Sequence, residues 1–167
     1  MGRLLDRRRV GRQEAAMTPM EIALAEARDA AARGEVPVGA VVVDAEGRVI
    51  ARAGNRVQEC GDASAHAELL ALREAARVLG APRLPECDLV ATLEPCPMCA
   101  AAAALFRVRR VVFGAYDPKG GGIEHGPRVF AAPGCLHRPE VLGGVRESDS
   151  AALLKRFFAA LRDRTES

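Results

Sequence analysis

His66-Ala67-Glu68, followed twenty-seven residues later by Pro95-Cys96-Pro97-Met98-Cys99, brings together one imidazole, one carboxylate and two thiols at spacings suited to metal chemistry. Three protein ligands, His66, Cys96 and Cys99, leave the fourth position of a tetrahedral zinc for water, and that separates a catalytic zinc from a structural one. Two thiolates and a neutral imidazole cancel the charge of Zn²⁺, so the ion acidifies its water less than a three-histidine site does. A positioned carboxylate is then needed to take the water proton, and Glu68 stands beside the histidine. Handing that proton to a ring nitrogen and later to a departing amine is hydrolytic deamination of an amidine-like carbon.

The Cys-x-x-Cys alone also suits a redox pair or half of a structural zinc site. A closed site needs a fourth ligand from Cys60, Cys87, Cys135, His125 or His137, none of which has paired spacing with the first three. Cys135-Leu136-His137 supplies two ligands for a second metal point, a poor set by itself.

The elements that must position these groups are readable from periodicity and punctuation. Thr18-Pro19-Met20-Glu21 reads as a capping box with proline at the first helical position, opening a helix to about Arg33 that stops at Gly34. Val38–Asp44 and Arg48–Asn55 form a hairpin around Ala45-Glu46-Gly47, and 56–63 is a polar loop. Ser64 caps a second helix that ends at Gly80. Asp88–Leu93 is a third strand, Pro95 opens an alanine-rich helix to Phe106, and Arg110–Gly114 is a fourth strand. The pattern is lost from Tyr116 to Pro139. Glu140–Val145 is a fifth strand weakened by two glycines, and Ser148 caps a last helix to Arg164. Each ligand is thus expected in the first turn of a helix, where the positive dipole end favours thiolates. Strands alternating with helices imply a sheet covered on both faces.

The 167 residues fit a single domain over 17–167, preceded by a basic arm. Residues 1–16 hold five arginines against Asp6 and Glu14, a net of +3 in a chain of net +2. Met17 is the expected natural start. The longest apolar run, Met98–Phe106, is too short to cross a bilayer, which needs about 20 residues. The arm lacks the apolar segment of a signal peptide. Together with unpaired cysteines this gives the expectation of a cytoplasmic protein.

The motifs resemble those of the zinc nucleobase deaminases, whose mark is His-x-Glu with Pro-Cys-x-x-Cys. Within that superfamily the chain is most similar to the bacterial tRNA-specific adenosine deaminases, through Glu35–Val41, Asn55-Arg56, Ala65–Glu68, Thr92–Cys99 and Arg110–Ala115. The resemblance implies a three-layer α-β-α, cytidine-deaminase-like fold with a central mixed five-stranded sheet. It also implies one Zn²⁺ per subunit, a homodimer, and the anticodon stem-loop of a tRNA (of the arginine class) as partner. By position, His66, Cys96 and Cys99 bind zinc, Glu68 shuttles protons, Asn55 hydrogen-bonds the flipped base and Val38 packs on it. Asp117 lies near the nucleotide backbone, and Phe157-Phe158 near the anticodon loop. The chain departs from the family pattern at Gly120–Gly126, at Leu136 in place of asparagine, and at Ser148-Asp149-Ser150.

Two physical readings stand beside the resemblance. Lys155, Phe158 and Arg162 share a helical face, a basic surface with an aromatic platform suited to single-stranded RNA. Leu154, Phe157 and Leu161 form the core stripe of the same helix, which Phe158 could equally join. Arg107, Arg109 and Arg110 read as solvated charge. The expected function is hydrolytic deamination of the wobble adenosine to inosine, by zinc-activated water at adenine C6 with Glu68 relaying protons. The alternatives are a zinc deaminase of a free guanine, cytosine or cytidine, and a noncatalytic zinc-stabilised RNA-binding module.

Overall fold

A computed structural model describes residues 17–166; the basic arm expected over 1–16 lies outside the described residues. Within them the chain runs α1 (Pro19–Ala32), β1 (Gly39–Val43), β2 (Val49–Gly54), α2 (Val57–Cys60), α3 (Ala67–Leu79), β3 (Asp88–Leu93), α4 (Pro97–Leu105), β4 (Arg110–Ala115), a 3-10 turn at Val129–Ala131, β5 (Glu140–Leu142) and α5 (Glu147–Thr165). The sheet order is β2-β1-β3-β4-β5. Strand β1 is antiparallel to β2 and β3, whereas β4 is parallel to β3 and β5. This is the expected mixed five-stranded sheet.

Alternation along the central strands separates two apolar layers. Ala40, Val42, Leu89, Ala91, Val111 and Phe113 face a core with Ala71, Leu72 and Ala75 of α3 and Ala100, Ala103 and Ala104 of α4. Val41, Val43 and Val90 face the other way, onto Ile22, Ala23, Leu24 and Ala27 of α1 and Leu153 of α5. Helix α1 lies so close to β1 that a Cβ at Gly39 would fall 1.9 Å from the Ala23 carbonyl oxygen, so that position must be glycine. The Thr18 box forms in both directions: the Glu21 N–H donates to Thr18 Oγ1 at 3.2 Å, and the Thr18 N–H to Glu21 Oε2 at 2.9 Å.

Several local expectations are corrected. The 56–63 stretch contains the short helix α2, because the buried Glu35 carboxylate accepts the N–H groups of Gln58 (3.2 Å) and Glu59 (2.8 Å) from outside the segment. Ser64 does not cap α3; it donates to Asp62 Oδ1 instead, and His66 is the N-cap. Helix α4 begins at Pro97, with Cys96 rather than Pro95 ahead of it. Strand β5 ends at Leu142, short of Gly144, whose φ of 81° leaves the strand conformation. Helix α5 begins at Glu147, before Ser148. Its buried side chains are Ser150 and Leu153; of the expected Leu154-Phe157-Leu161 stripe, Leu154 packs against the core and Phe157 is half-buried, whereas Leu161 is 46% exposed and stays outside it. Two of the three clustered arginines are ion-paired: Arg109 grips Asp88 through two bonds of 2.9 Å, and Arg110 pairs with Asp88 and Glu140, while Arg107 donates to the Ala104 carbonyl at 3.0 Å.

Candidate active site

The site lies where β1 begins and β3 and β4 end. His66 and Cys96 each occupy the extended residue before a helix, with φ/ψ of −77°/146° and −66°/169°. Cys99 follows in the first turn of α4. Neither helix has a side-chain cap of its own, so both positive N-termini converge on the same point. His66 Nδ1 is 3.5 Å from Cys96 Sγ and 3.7 Å from Cys99 Sγ, and the three ligand atoms lie within 4.8 Å of one another. A tetrahedral zinc with Zn–N of about 2.05 Å and Zn–S of about 2.3 Å separates a nitrogen from a sulfur by about 3.6 Å. The three side chains therefore fit that ion, and they form the metal-holding group found among the described residues.

The other candidate ligands are engaged or distant. His125 Nδ1 is 2.8 Å from Glu94 Oε1, and His137 Nε2 donates to the Val108 carbonyl at 2.7 Å. Cys135 Sγ donates to the His137 carbonyl at 3.0 Å. Cys60 is exposed and Cys87 buried apart from the cluster.

Glu68 is 4% exposed, with Oε2 3.4 Å from Cys99 Sγ. Burial pushes its carboxyl well up, against the opposing pull of its own backbone N–H and of His66. In the metal-free site the Cys99 thiol, together with His66, holds the Cys96 thiol down to about 4 against the effect of burial. Cys99 is pushed up, first by its bond to Cys96 and then by burial. The Cys96 contact likewise raises His66.

A cleft of about 640 Å³ opens over these groups, lined by His66, Glu68 and Cys96 and also by Val38, Asn55, Asp117 and Phe158. That size suits a small organic group. Of the eight residues singled out in the sequence, seven line the cleft, and Cys99 is buried behind it. Asn55 accepts the Ala67 N–H at 2.8 Å through Oδ1, supplying the α3 cap that the helix lacks locally. Phe158 is 41% exposed at the outer wall, in edge contact with Phe157 at 5.4 Å.

Sequence reasoning missed Glu35 and Glu94, two buried carboxylates that also line the cleft. Their signal was an acidic residue at either end of an apolar strand segment.

The family model for the cytidine and deoxycytidylate deaminase zinc-binding region matches residues 13–115. A tRNA-specific adenosine deaminase of Agrobacterium fabrum is 54% identical over 86% of this chain and 93% of its own length. Another from Bacillus subtilis is 44% identical over 89% and 91%. A solved structure from work on A-to-I editing by tRNA:A34 deaminases superposes with a TM-score of 0.80 at 55% identity, covering 81% of this chain and 98% of that one. The guanine deaminase of Nitrosomonas europaea superposes with a TM-score of 0.69 at 28% identity, covering 84% and 83%. The chain therefore belongs to the cytidine and deoxycytidylate deaminase family of zinc proteins, in the branch of the bacterial tRNA-specific adenosine deaminases. It is a hydrolytic enzyme of the cytidine-deaminase-like fold with one zinc per subunit.

Proposed function

We propose that the protein converts the wobble adenosine of a tRNA, of the arginine class, to inosine and ammonia. One observation carries the reading: a single cleft has His66, Cys96 and buried Glu68 on its floor with Cys99 just behind them, Asn55 on its wall and the exposed Phe158 at its mouth. The zinc supplies an acidified water at the floor of the cleft. Glu68 takes one proton of the attacking water and delivers it to N1 of the adenine; it then takes the second proton from the new C6 hydroxyl and gives it to the amine, whose C–N bond breaks as the C6 carbonyl forms and ammonia leaves. Its burial beside Cys99 Sγ, at 3.4 Å, places it within reach of the ligand group. The second amide atom of Asn55, Nδ2, has no acceptor among the described residues and is the donor offered to the base edge. Val38 packs on the flipped base, Asp117 borders the nucleotide backbone, and Phe158 offers a stacking face to a loop base. An anticodon loop suits the site because its bases are unpaired and cheap to flip.

Residues 17–167 act as one deaminase domain, with 1–16 as an appended basic arm. No helix among the described residues is long and apolar enough to cross a membrane, and a tRNA substrate implies a cytoplasmic enzyme. A homodimer is supported by the hollow lined by Ala101, Ala104, Leu105, Val129, Ala132 and Leu136, in which Leu105 is 71% and Leu136 89% exposed.

The test is to incubate the zinc-loaded protein with an arginine tRNA anticodon stem-loop and, separately, with free guanine, cytosine and cytidine, and to assay inosine and ammonia. Inosine in the stem-loop is the expected result. Ammonia from the free bases alone would overturn it in favour of a small-molecule deaminase.

A further inference from the structure

Glu94, two residues before Cys96, has a side chain with no solvent exposure, yet it makes no contact with the zinc ligands. Every polar contact of its carboxylate is to a donor from one turn. Oε1 accepts the Asp117 N–H at 3.2 Å and His125 Nδ1–H at 2.8 Å. Oε2 accepts the N–H groups of Ile123 (3.2 Å), Glu124 (3.0 Å) and His125 (3.1 Å). A buried carboxylate is tolerated only when its lone pairs are satisfied in this way.

The glycine run that departs from the family pattern follows from the same geometry. A Cβ at Gly121 would stand 2.3 Å from Glu94 Oε2 and 2.5 Å from the Asp117 carbonyl oxygen, and one at Gly122 2.5 Å from Pro97 N. The turn is also sewn directly to the segment between β3 and α4 that carries Cys96, by the Gly122 N–H donating to the Pro95 carbonyl at 2.8 Å. On its outer side the His125 ring meets Tyr116 edge-on at 6.1 Å, and Tyr116 meets Phe113 at 5.1 Å. Asp117 and Gly120, at the start of the turn, line the cleft.

We infer that Glu94 and His125 form a latch that holds the Asp117–His125 turn as one lip of the cleft, and that this latch positions the turn for the polynucleotide without taking part in the chemistry at zinc. The substrate half of the inference rests on the tRNA reading above. Both residues are positioning residues. They act through Asp117 and Gly120, so their loss weakens capture of the stem-loop while the proton path through Glu68 is untouched.

The test uses zinc-loaded His125→Ala, His125→Asn and Glu94→Gln. Asparagine at 125 restores a donor near the position of imidazole Nδ1. Glutamine at 94 must turn an NH₂ toward N–H donors whichever way it lies. In His125→Ala we expect unchanged zinc content and faster amide hydrogen exchange at Ile123, Glu124 and His125. KM for the stem-loop rises about tenfold, as one charge-assisted hydrogen bond is lost, with kcat within about twofold. His125→Asn recovers both exchange and KM. Unchanged exchange in both His125→Ala and Glu94→Gln overturns the latch, as does a fall in kcat at constant KM. If the unsubstituted protein makes no inosine from the stem-loop while the exchange result holds, the tRNA reading falls and the latch stands.

Discussion

The side-chain oxygen of Asn55 accepts the backbone N–H of Ala67, the residue between His66 and Glu68, at 2.8 Å. One hydrogen bond therefore ties a cleft-wall amide to the backbone between the proposed zinc ligand and the proposed proton shuttle. The Asn55 carbonyl is in turn held by Arg33 Nη2 at 3.1 Å. Asn55→Ala leaves the Ala67 N–H unpaired in a buried position, a cost of about 1–3 kcal/mol. A lower Tm and a lower kcat/KM are expected together. A variant that kept full Tm while losing activity would show that the helix-capping role is dispensable.

Glu68→Ala is expected to retain one zinc and to lose at least about 10²-fold in kcat, the low end of general acid–base contributions. Metal analysis with single-turnover kinetics checks this. Near-normal turnover would sink the proton-shuttle role, since no other carboxylate among the described residues lies within hydrogen-bond reach of the His66-Cys96-Cys99 group.

Chelation is expected to abolish ammonia release and lower Tm, with one equivalent of zinc restoring both. In the metal-free protein the Cys96 thiol, held down to about 4 by Cys99 and His66, is a thiolate at pH 6. Iodoacetamide at that pH is expected to label Cys96 ahead of the exposed Cys60, and zinc to protect it. Peptide mass mapping reads the order of labelling.

Asp44 closes the β1–β2 hairpin. Burial alone would push its carboxyl up, but the Arg48 N–H, the Arg48 guanidinium and the Glu46 N–H outweigh it and hold the group below its ordinary 3.8. A depressed carboxyl contributes stability that is present above its unfolded pKa and lost as pH falls through the folded one. Asp44→Asn keeps the Oδ1 bonds and loses the ion pair, a cost of about 0.2–1 kcal/mol at neutral pH. The gap between the two proteins is expected to be full at pH 7 and to close below about pH 4. Urea unfolding across that range measures it, and a gap that widened on acidification would reverse the assignment.

Leu136→Glu places a charge on the most exposed large apolar side chain among the described residues. If the hollow beside it is the subunit interface, the variant sediments as a monomer with its zinc retained. An unchanged sedimentation coefficient would move the interface elsewhere.

The clustering of His66, Cys96, Cys99 and Glu68 was legible in the sequence because residue type and short spacing are local. Most elements were legible through period and punctuation, from the Thr18 box to the β1–β2 hairpin around Ala45-Glu46-Gly47. What escaped was non-local. Glu35 caps α2 from 23 and 24 residues away, and Glu94 gathers donors 23 to 31 residues downstream. A segment whose backbone donors are satisfied by a distant carboxylate carries no turn signature of its own, so 56–63 and 120–126 both read as loops. The glycine run looked like a departure from the family pattern because its reason, the room taken by Glu94, lies in another element. The buried face of α5 was misplaced because it is set by Leu153 together with a small polar residue, Ser150, packed where a Cβ on Gly114 would lie 2.4 Å from its hydroxyl oxygen.

His66 and Cys96 stand immediately before α3 and α4, as the N-cap of each helix. A helix anchored at its first residue can change length at its other end without displacing what the first residue holds. The segment after α3 is therefore free to vary: Pro82 and Arg83 are exposed, between Gly80 at the helix end and buried Leu84. A reporter or affinity peptide spliced between them leaves the reaction centre where it is, which makes this the natural port for tethering the enzyme to a surface or a fusion partner.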